Sequence, residues 1–354
     1  MNTATPSTPQ GDGSANRTVA FLGPYNSYSH QATKTAFPGE QWNLQPTASI
    51  KEVFDRVQSL AAPYGVVPFE NSTHGTVTFT LDNLADRAGE YADIVVCDEV
   101  YLDVHHFLLG RMPSSSLQNP PAAPASPPSA QKGHPLVPLQ HIRRVYSHPQ
   151  AFGQTGAFTR RYLSHAETIE VSSTSRAAEL AAADATGASA AVASEFAGRA
   201  YGLDVLARCV EDREDNTTRF FVLRRRQQLE AATEKGEEEQ REGEHPPTRR
   251  AAPGGRDVYG GGRYKSLVSF TVPHRRPGAL ADVLDCFRAK GLNLTSISSV
   301  PSLDAPFQYL FFVEFEGSRF DDPERRLEGV FGDLEKVAER WRWLGSWLNR
   351  RGER

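Results

Sequence analysis

Apolar positions along this chain repeat at two spacings, and the change from one to the other outlines its elements. Thr18 to Gly23 (TVAFLG) is a short apolar run closed by Gly-Pro and predicts a strand. Ser49 to Leu60 carries Ile50, Val53, Phe54, Val57 and Leu60 at helical spacing, with Ser49 as a candidate N-cap. Gly65 to Phe69 predicts a second strand, and Asp93 to Leu109 a third that charges interrupt. The pattern then predicts one helix near His148 to Leu163, a strand at Thr168 to Val171 and an Ala-rich helix over Thr174 to Asp184. Strands at Ala190 to Ala193, Val205 to Val210 and Phe220 to Leu223 close this part. Such alternation implies α/β architecture with mainly parallel sheet and binding loops at the strand C-terminal ends.

Beyond residue 264 the order changes. Ser266 to Val272 alternates as a strand, and Gly278 to Lys290 places Leu280, Val283, Leu284 and Phe287 on one helical face behind Pro277. Strands at Leu294 to Ser299 and Tyr309 to Phe315, a helix from Pro323 to Arg340 and a short strand near Trp343 to Trp347 complete βαββαβ, a ferredoxin-like order.

Two stretches break the pattern. Residues 112–139 hold eight prolines and five serines, and read as a Pro-rich insertion. Residues 224–263 carry seven Glu, seven Gly and nine Lys or Arg against seven apolar residues, too few to offset their ordering entropy, and read as a disordered linker. With a disordered N-terminus at 1–16, the expected domains are 17–223 and 264–354. Charges nearly balance, 39 Lys+Arg against 43 Asp+Glu, so no basic excess points to nucleic acid. No apolar run is long enough to span a bilayer, and residues 1–16 carry no secretory signal. Cys97, Cys209 and Cys286 are odd in number and far apart, which fits a reducing compartment and makes cytoplasmic the expectation. Cys97 and Cys209 lie in apolar runs and read as small core residues.

Candidate chemistry gathers at the predicted strand ends. Asn26-Ser27-Tyr28-Ser29, Asn71 to Thr76 and Ser172 to Ser175 each look like a turn opening a helix, and each is accounted for by capping alone. Three in one α/β unit imply helix N-termini converging on a cleft, where free N–H groups would hold a small carboxylate or phosphate compound. No glycine-rich nucleotide loop follows these strands. Glu211 to Arg219 reads as a solvated turn whose last residues abut a strand, where Arg219 could pair with a carboxylate. The ten histidines form no metal set; His105 and His106 would point to opposite faces of a strand, and His148 reads as structural.

Six segments, AFLGPYNSYSHQA (20–32), GVVPFENSTHGTVTFTLDNL (65–84), VYSHPQAFGQ (145–154), SSTSRAAELAA (172–182), AAVASEFAGRAYGLDVL (190–206) and NTTRFFVL (216–223), resemble the prephenate dehydratases, in the family's order. The resemblance implies a two-lobed catalytic domain, similar to periplasmic binding proteins, with substrate in the cleft. It implies conversion of prephenate to phenylpyruvate, carbon dioxide and water, without metal or organic cofactor. By the same resemblance Thr218 would donate to the leaving hydroxyl and Arg219 would anchor a carboxylate. Ser27, Asn71, Ser147, Gln154, Thr174, Asn216 and Phe220 would be substrate contacts, and Glu70 either a structural carboxylate or an acid.

Residues 277–280 (PGAL), 291–297 (GLNLTSI) and 309–317 (YLFFVEFEG) resemble the amino-acid-sensing ACT domain. That implies phenylalanine binding between subunits of a homodimer or homotetramer, with Gly278, Ala279, Leu280, Asn293 and Leu294 as the positions to carry it. The family's Glu-Ser-Arg-Pro segment reads Ser298-Ser299-Val300-Pro301 here, without its glutamate and arginine. The rival expectations are an arogenate dehydratase, a non-catalytic metabolite sensor and a C-terminal unit that only dimerises the enzyme.

Overall fold

The computed structural model describes residues 17–112, 132–229 and 263–351. The stretch 1–16, most of the Pro-rich insertion and most of the linker lie outside the described residues. Among the described residues no helix is long and apolar enough to cross a membrane.

The chain first builds β1 (Thr18–Leu22), β2 (Asn43–Thr47), β3 (Tyr64–Asn71), β4 (Gly75–Thr76) and β5 (Ile94–Asp103), with α1 (Tyr28–Ala36), α2 (Ile50–Gln58) and α3 (Thr78–Ala85) between them. It then crosses to a second lobe made of β6 (Phe107–Gly110), β7 (Arg144–Ser147), β8 (Glu167–Glu170), β9 (Ser189–Ala193) and β10 (Asp204–Ala207). Here α4 (Pro149–Gln154), α5 (Gly156–Tyr162), α6 (Thr174–Ala183) and α7 (Glu195–Ala200) flank a five-stranded sheet of order β10-β6-β9-β7-β8. The single helix expected over 148–163 is two short ones, because Thr155 leaves helical geometry at φ −127°, ψ 22°. A return crossing inserts β11 (Thr217–Arg225) between β3 and β5.

That return corrects the expectation of mainly parallel sheet. β1 pairs parallel with β2 and β3, and β7 with β8 and β9. β11, however, runs antiparallel to both its neighbours, and β6 is antiparallel to β9 and β10. A strand arriving from the other lobe owes no right-handed crossover to its neighbour, so local patterning does not specify its direction. The strand also continues to Arg225, two residues into the stretch read as linker, and Arg225 pairs with Asp93 at 2.7 Å. At the other boundary, Val137 and Leu139 of the Pro-rich stretch are buried in the second lobe's core.

The C-terminal unit is β12 (Tyr264–Thr271), α8 (Ala279–Ala289), β13 (Leu294–Pro301), β14 (Tyr309–Glu316), α9 (Arg326–Val337) and β15 (Arg340–Leu348). Its strands lie in the order β13-β14-β12-β15, all antiparallel, which is the ferredoxin-like arrangement. One face packs on its two helices through Val268, Phe270, Val283, Phe287, Phe315 and Leu334. The other face contributes Leu267, Phe312, Leu344 and Trp347 to the core around Phe54, Phe69 and Phe221 of the first lobe. β15 also meets β5 at Gly345 and Val96, so one ten-stranded sheet runs through both units.

His30 in α1 stacks on Phe21 with ring centroids 5.0 Å apart, and its Nδ1 accepts the backbone N–H of Asn26 at 3.0 Å. Burial, helped by Lys34, pushes its pKa down to about 4. The unfolded chain then binds a proton that the fold excludes, so stability falls as pH drops from about 6.5 toward 4. Denaturant titrations across that window should show the loss, on the order of 2 kcal/mol, and His30→Gln should flatten it. An unchanged slope in the variant would remove His30 as the cause.

Candidate active site

Extended backbone sends successive side chains to opposite faces, and this decides which residues of Asn216 to Phe220 reach the cleft. β11 places Thr218 opposite Asn71 of β3. Asn71 Oδ1 accepts the backbone N–H groups of Thr73 and His74, each at 3.0 Å. Those two donors fix which amide atom is oxygen. Asn71 Nδ2 must then face the other way, donating to Asn216 Oδ1 at 2.8 Å and to Thr218 Oγ at 3.0 Å. Thr218 is therefore an acceptor toward the protein, and its own hydroxyl proton is left to donate toward the cleft.

The second lobe closes the cluster through Gln154, at the end of α4. Its Oε1 accepts from Asn216 Nδ2 at 3.1 Å and lies 2.7 Å from His106 Nε2, while its Nε2 is 3.2 Å from His74 Nδ1. The buried His106 ring is held neutral: burial lowers its pKa, against the opposing pull of Gln154 and Glu211. With Gln154 Oε1 as acceptor, the tautomer that fits carries its proton on Nε2. Nδ1, at 3.1 Å from the Tyr28 hydroxyl, is then an acceptor, and it shares that hydroxyl's single proton with the His105 carbonyl at 2.9 Å. Burial and the charge of Glu211 push the Tyr28 pKa well up, so it remains a phenol. A short cavity of about 210 Å³ lies beside Tyr28, lined also by Asp103, His105, Phe196 and Arg199.

Helix N-termini meet across the lobes as expected for two of the three turns. Ser27 caps α1 by accepting from His30 N, and Ser173 caps α6 by accepting from Arg176 N. Ser175 Oγ donates to the Tyr25 carbonyl at 2.6 Å, which ties the start of α6 to the loop before α1. Thr174 is the first residue of α6 at that junction, although no described hydrogen bond links it to the Asn71 cluster. The third turn behaves differently. Asn71 closes on its own backbone and the following helix begins behind Val77, which offers no side-chain cap.

Several expected contacts face elsewhere. Arg219 does not point into the cleft: strand alternation turns it to the opposite face, where it lies between Glu99 at 2.6 Å and Glu314, with its side chain 5% exposed. It cannot anchor a substrate carboxylate from there. Phe220 is buried in the core with Val19, Phe21 and Val66. Ser147 is fully buried and donates to the Val192 carbonyl, pinning the end of β7 to β9. Glu70 shares the Arg219 side, 4.0 Å from its guanidinium. In the C-terminal unit, Leu294 is level with Phe315 while α8 opens beyond Thr271, at the other end of β12. Gly278 to Leu280 and Asn293 to Leu294 are thus separated by about the 16 Å length of α8 and do not meet within one chain.

A further cluster, at the crossing between the lobes, has no counterpart among the motifs of the sequence. His105 Nδ1 and His106 N both bond Glu211, at 2.8 Å each, and Cys209 joins them so that one ligand atom from His105, Cys209 and Glu211 all lie within 4.8 Å. These three could hold a cation, but both Glu211 oxygens are already engaged by the histidines. Cys209 is not in a strand; its φ of 48° belongs to the return crossing. Only the acidic character of the 211–215 turn hinted at a partner for the histidines.

The prephenate dehydratase family model matches residues 19–228. The bifunctional chorismate mutase/prephenate dehydratase of Aquifex aeolicus (strain VF5) is 31% identical over 329 residues, 93% of this chain and 73% of that protein. The crystal structure of prephenate dehydratase from Arthrobacter aurescens in complex with L-Phe aligns with a TM-score of 0.69 and 25% identity, over 94% of this chain and 90% of that one. A structure described as GqqA, a novel type of quorum quenching acylase, aligns at 0.65 and 25% identity over 94% and 97%. Shape alone therefore does not fix the reaction. The match over both lobes and the identity along nearly the whole length do fix the kinship: the chain belongs to the prephenate dehydratase family.

Proposed function

We propose that this chain converts prephenate to phenylpyruvate in the cleft between its lobes, with Thr218 donating to the departing hydroxyl. The observation that carries this reading is the polarity of the Asn71 amide, which makes Thr218 Oγ an acceptor and frees its proton. As the ring carboxylate leaves as carbon dioxide, its bonding electrons enter the ring. The ring then expels hydroxide, which takes a proton to leave as water. Prephenate dianion plus one proton thus gives phenylpyruvate monoanion, carbon dioxide and water. Aromatisation supplies the driving force, so orientation and hydrogen bonding to the leaving oxygen are what the protein must add. A threonine hydroxyl is too weak an acid to yield a free proton at neutral pH; it stabilises the oxygen while solvent completes the transfer.

Asn71→Asp tests the polarity directly. A carboxylate would accept the Thr218 hydroxyl proton and remove the donor from the cleft, so kcat should fall about 100-fold with the fold intact. Wild-type kcat in that variant would mean Thr218 does not act as a donor.

The substrate assignment is tested by presenting prephenate and arogenate separately to the purified chain and identifying the products. Phenylpyruvate with one equivalent of carbon dioxide is the expected result. Phenylalanine formed from arogenate alone would make the chain an arogenate dehydratase, and binding without turnover would make it a sensor. Phenylalanine is the proposed effector, held between C-terminal units of two copies by Gly278, Ala279 and Leu280 of one and Asn293 and Leu294 of the other. The separation of those segments within one chain supports that arrangement, and so do the edge position of β13 and the exposed Ile297. A homodimer or homotetramer in the cytoplasm, with its three cysteines free, completes the reading.

A further inference from the structure

Arg219, turned away from the cleft, is the centre of a buried ionic cluster that joins the two units. Its guanidinium lies between Glu99 of β5 and Glu314 of β14 and against the rings of Phe69, Tyr101 and Phe221. Lys265 of β12 sits 3.5 Å from Glu99 and 3.3 Å from Glu314. Two carboxylates balance two cations, and all four are nearly inaccessible to solvent. Such a cluster holds its members rigidly, because any one that moves leaves an uncompensated charge in a medium of low dielectric.

The surrounding ladders are interrupted on both sides of it. On the catalytic side, β11 shifts register against β3 between Arg219 and Phe220, so that Phe69 is the extra residue beside the arginine. In the C-terminal unit, β13 shifts against β14 between Leu294 and Ser296, leaving Thr295 as the extra residue. Bulges re-aim side chains. Here Thr295 Oγ donates to Glu314 Oε1 at 2.9 Å, and Glu314 in turn holds Arg219. An unbroken line of bonds therefore runs from the start of β13 to the residue next to Thr218.

We infer that Glu314 is a positioning residue for the dehydration: through Arg219 it sets the place of Thr218 against Asn71, and through Thr295 it transmits to the cleft any displacement at the start of β13. The kinetic half of this inference rests on the reaction proposed above. A shift of an ångström or less at Thr218 is enough to matter, since catalytic geometry is steep in distance.

The experiment is a double-mutant cycle on the full chain. Glu314→Gln should lower kcat roughly tenfold with KM nearly unchanged, but should leave the residual rate of a Thr218→Ala chain as it was. Equal losses in both backgrounds, or no loss in either, would overturn the role. Because Glu314→Gln strands a buried cation, Thr295→Val serves as the gentler variant. It keeps every charge and should reduce kcat a few-fold, again only where Thr218 is present. Amide hydrogen exchange gives a readout independent of turnover. Faster exchange in Glu314→Gln confined to residues 70–72 and 216–219 supports the relay, whereas unchanged exchange there, or a uniform rise over the whole sheet, contradicts it. If the wild-type chain proves not to turn over prephenate, the reaction assignment fails while the exchange pattern still decides the relay.

Discussion

Thr218→Ala is expected to fold as the wild type does, to bind prephenate within a few-fold of normal, and to lose turnover by a factor of about 100 to 1000. The fold should survive because the one described bond of the Thr218 hydroxyl is the one it accepts from Asn71 Nδ2. That amide keeps a second acceptor, Asn216 Oδ1, at 2.8 Å, and its carbonyl stays pinned by Thr73 and His74. Removing the hydroxyl thus leaves the Asn71 carbonyl side satisfied, at a cost to stability of about 1 kcal/mol or less. Binding should survive because, on the proposed reading, orientation of the dianion would fall to groups on both lobes, Gln154 and the N-termini of α1 and α6 among them. On the proposed mechanism, what disappears is the donor to the leaving oxygen, an interaction made chiefly in the transition state, so the loss belongs in kcat rather than KM. Thr218→Ser, which keeps a hydroxyl on a freer side chain, should recover much of the rate. Stopped-flow or steady-state assays of phenylpyruvate formation check both variants, and a Thr218→Ala chain with normal kcat would take Thr218 out of the reaction.

Gly345→Val is expected to have the largest effect on stability. At φ 133° this residue of β15 occupies backbone space that side chains rarely tolerate, and a Cβ there would lie 2.0 Å from the Val96 carbonyl oxygen. Backbone, not a flexible side chain, is what it meets, so the seam between β15 and β5 must open. Strain and the lost packing of Leu344 and Trp347 together should cost about 3 kcal/mol or more. Gly332 supplies the control: it lies inside α9 with nothing within 4 Å of its would-be Cβ, and Gly332→Ala should be neutral or slightly stabilising. Thermal or denaturant unfolding of both variants distinguishes a close-packed seam from a loose contact. A Gly345→Val chain as stable as Gly332→Ala would mean that the two units do not share this sheet.

Elements with a strong period were legible in the sequence, and those without one were not. The Ser49 cap and the face of Ile50, Val53, Phe54 and Val57 specified α2 because a helix needs only its own residues to declare an apolar side. β2, with Asn43, Gln45 and Pro46, carries no such signal; it is an edge strand whose backbone pairing with β1 does the work. Strand direction was illegible for the same reason, since β11 finds its place between β3 and β5 only after the chain has visited the other lobe. Within the site, Thr218, Asn71, Asn216 and Gln154 came together as their shared motifs implied. Arg219 did not, yet alternation alone carried the warning: two successive residues of a strand cannot both face one cleft. The Glu211 contacts to His105 and His106 span more than a hundred residues of sequence and had no local signature. Lys265 and Glu314 are buried where the C-terminal sheet docks on the first lobe, a contact that no local pattern encodes.

The most direct test of where the chemistry occurs is a crystal structure of the Thr218→Ala chain soaked with prephenate, which the slow variant should retain. The dianion is expected between the lobes, its ring hydroxyl directed at the space left by the Thr218 side chain, with Asn71 and Gln154 in contact. Prephenate seated away from that cluster, for instance in the cavity beside Arg199, or oriented with its hydroxyl turned away from position 218, would contradict it.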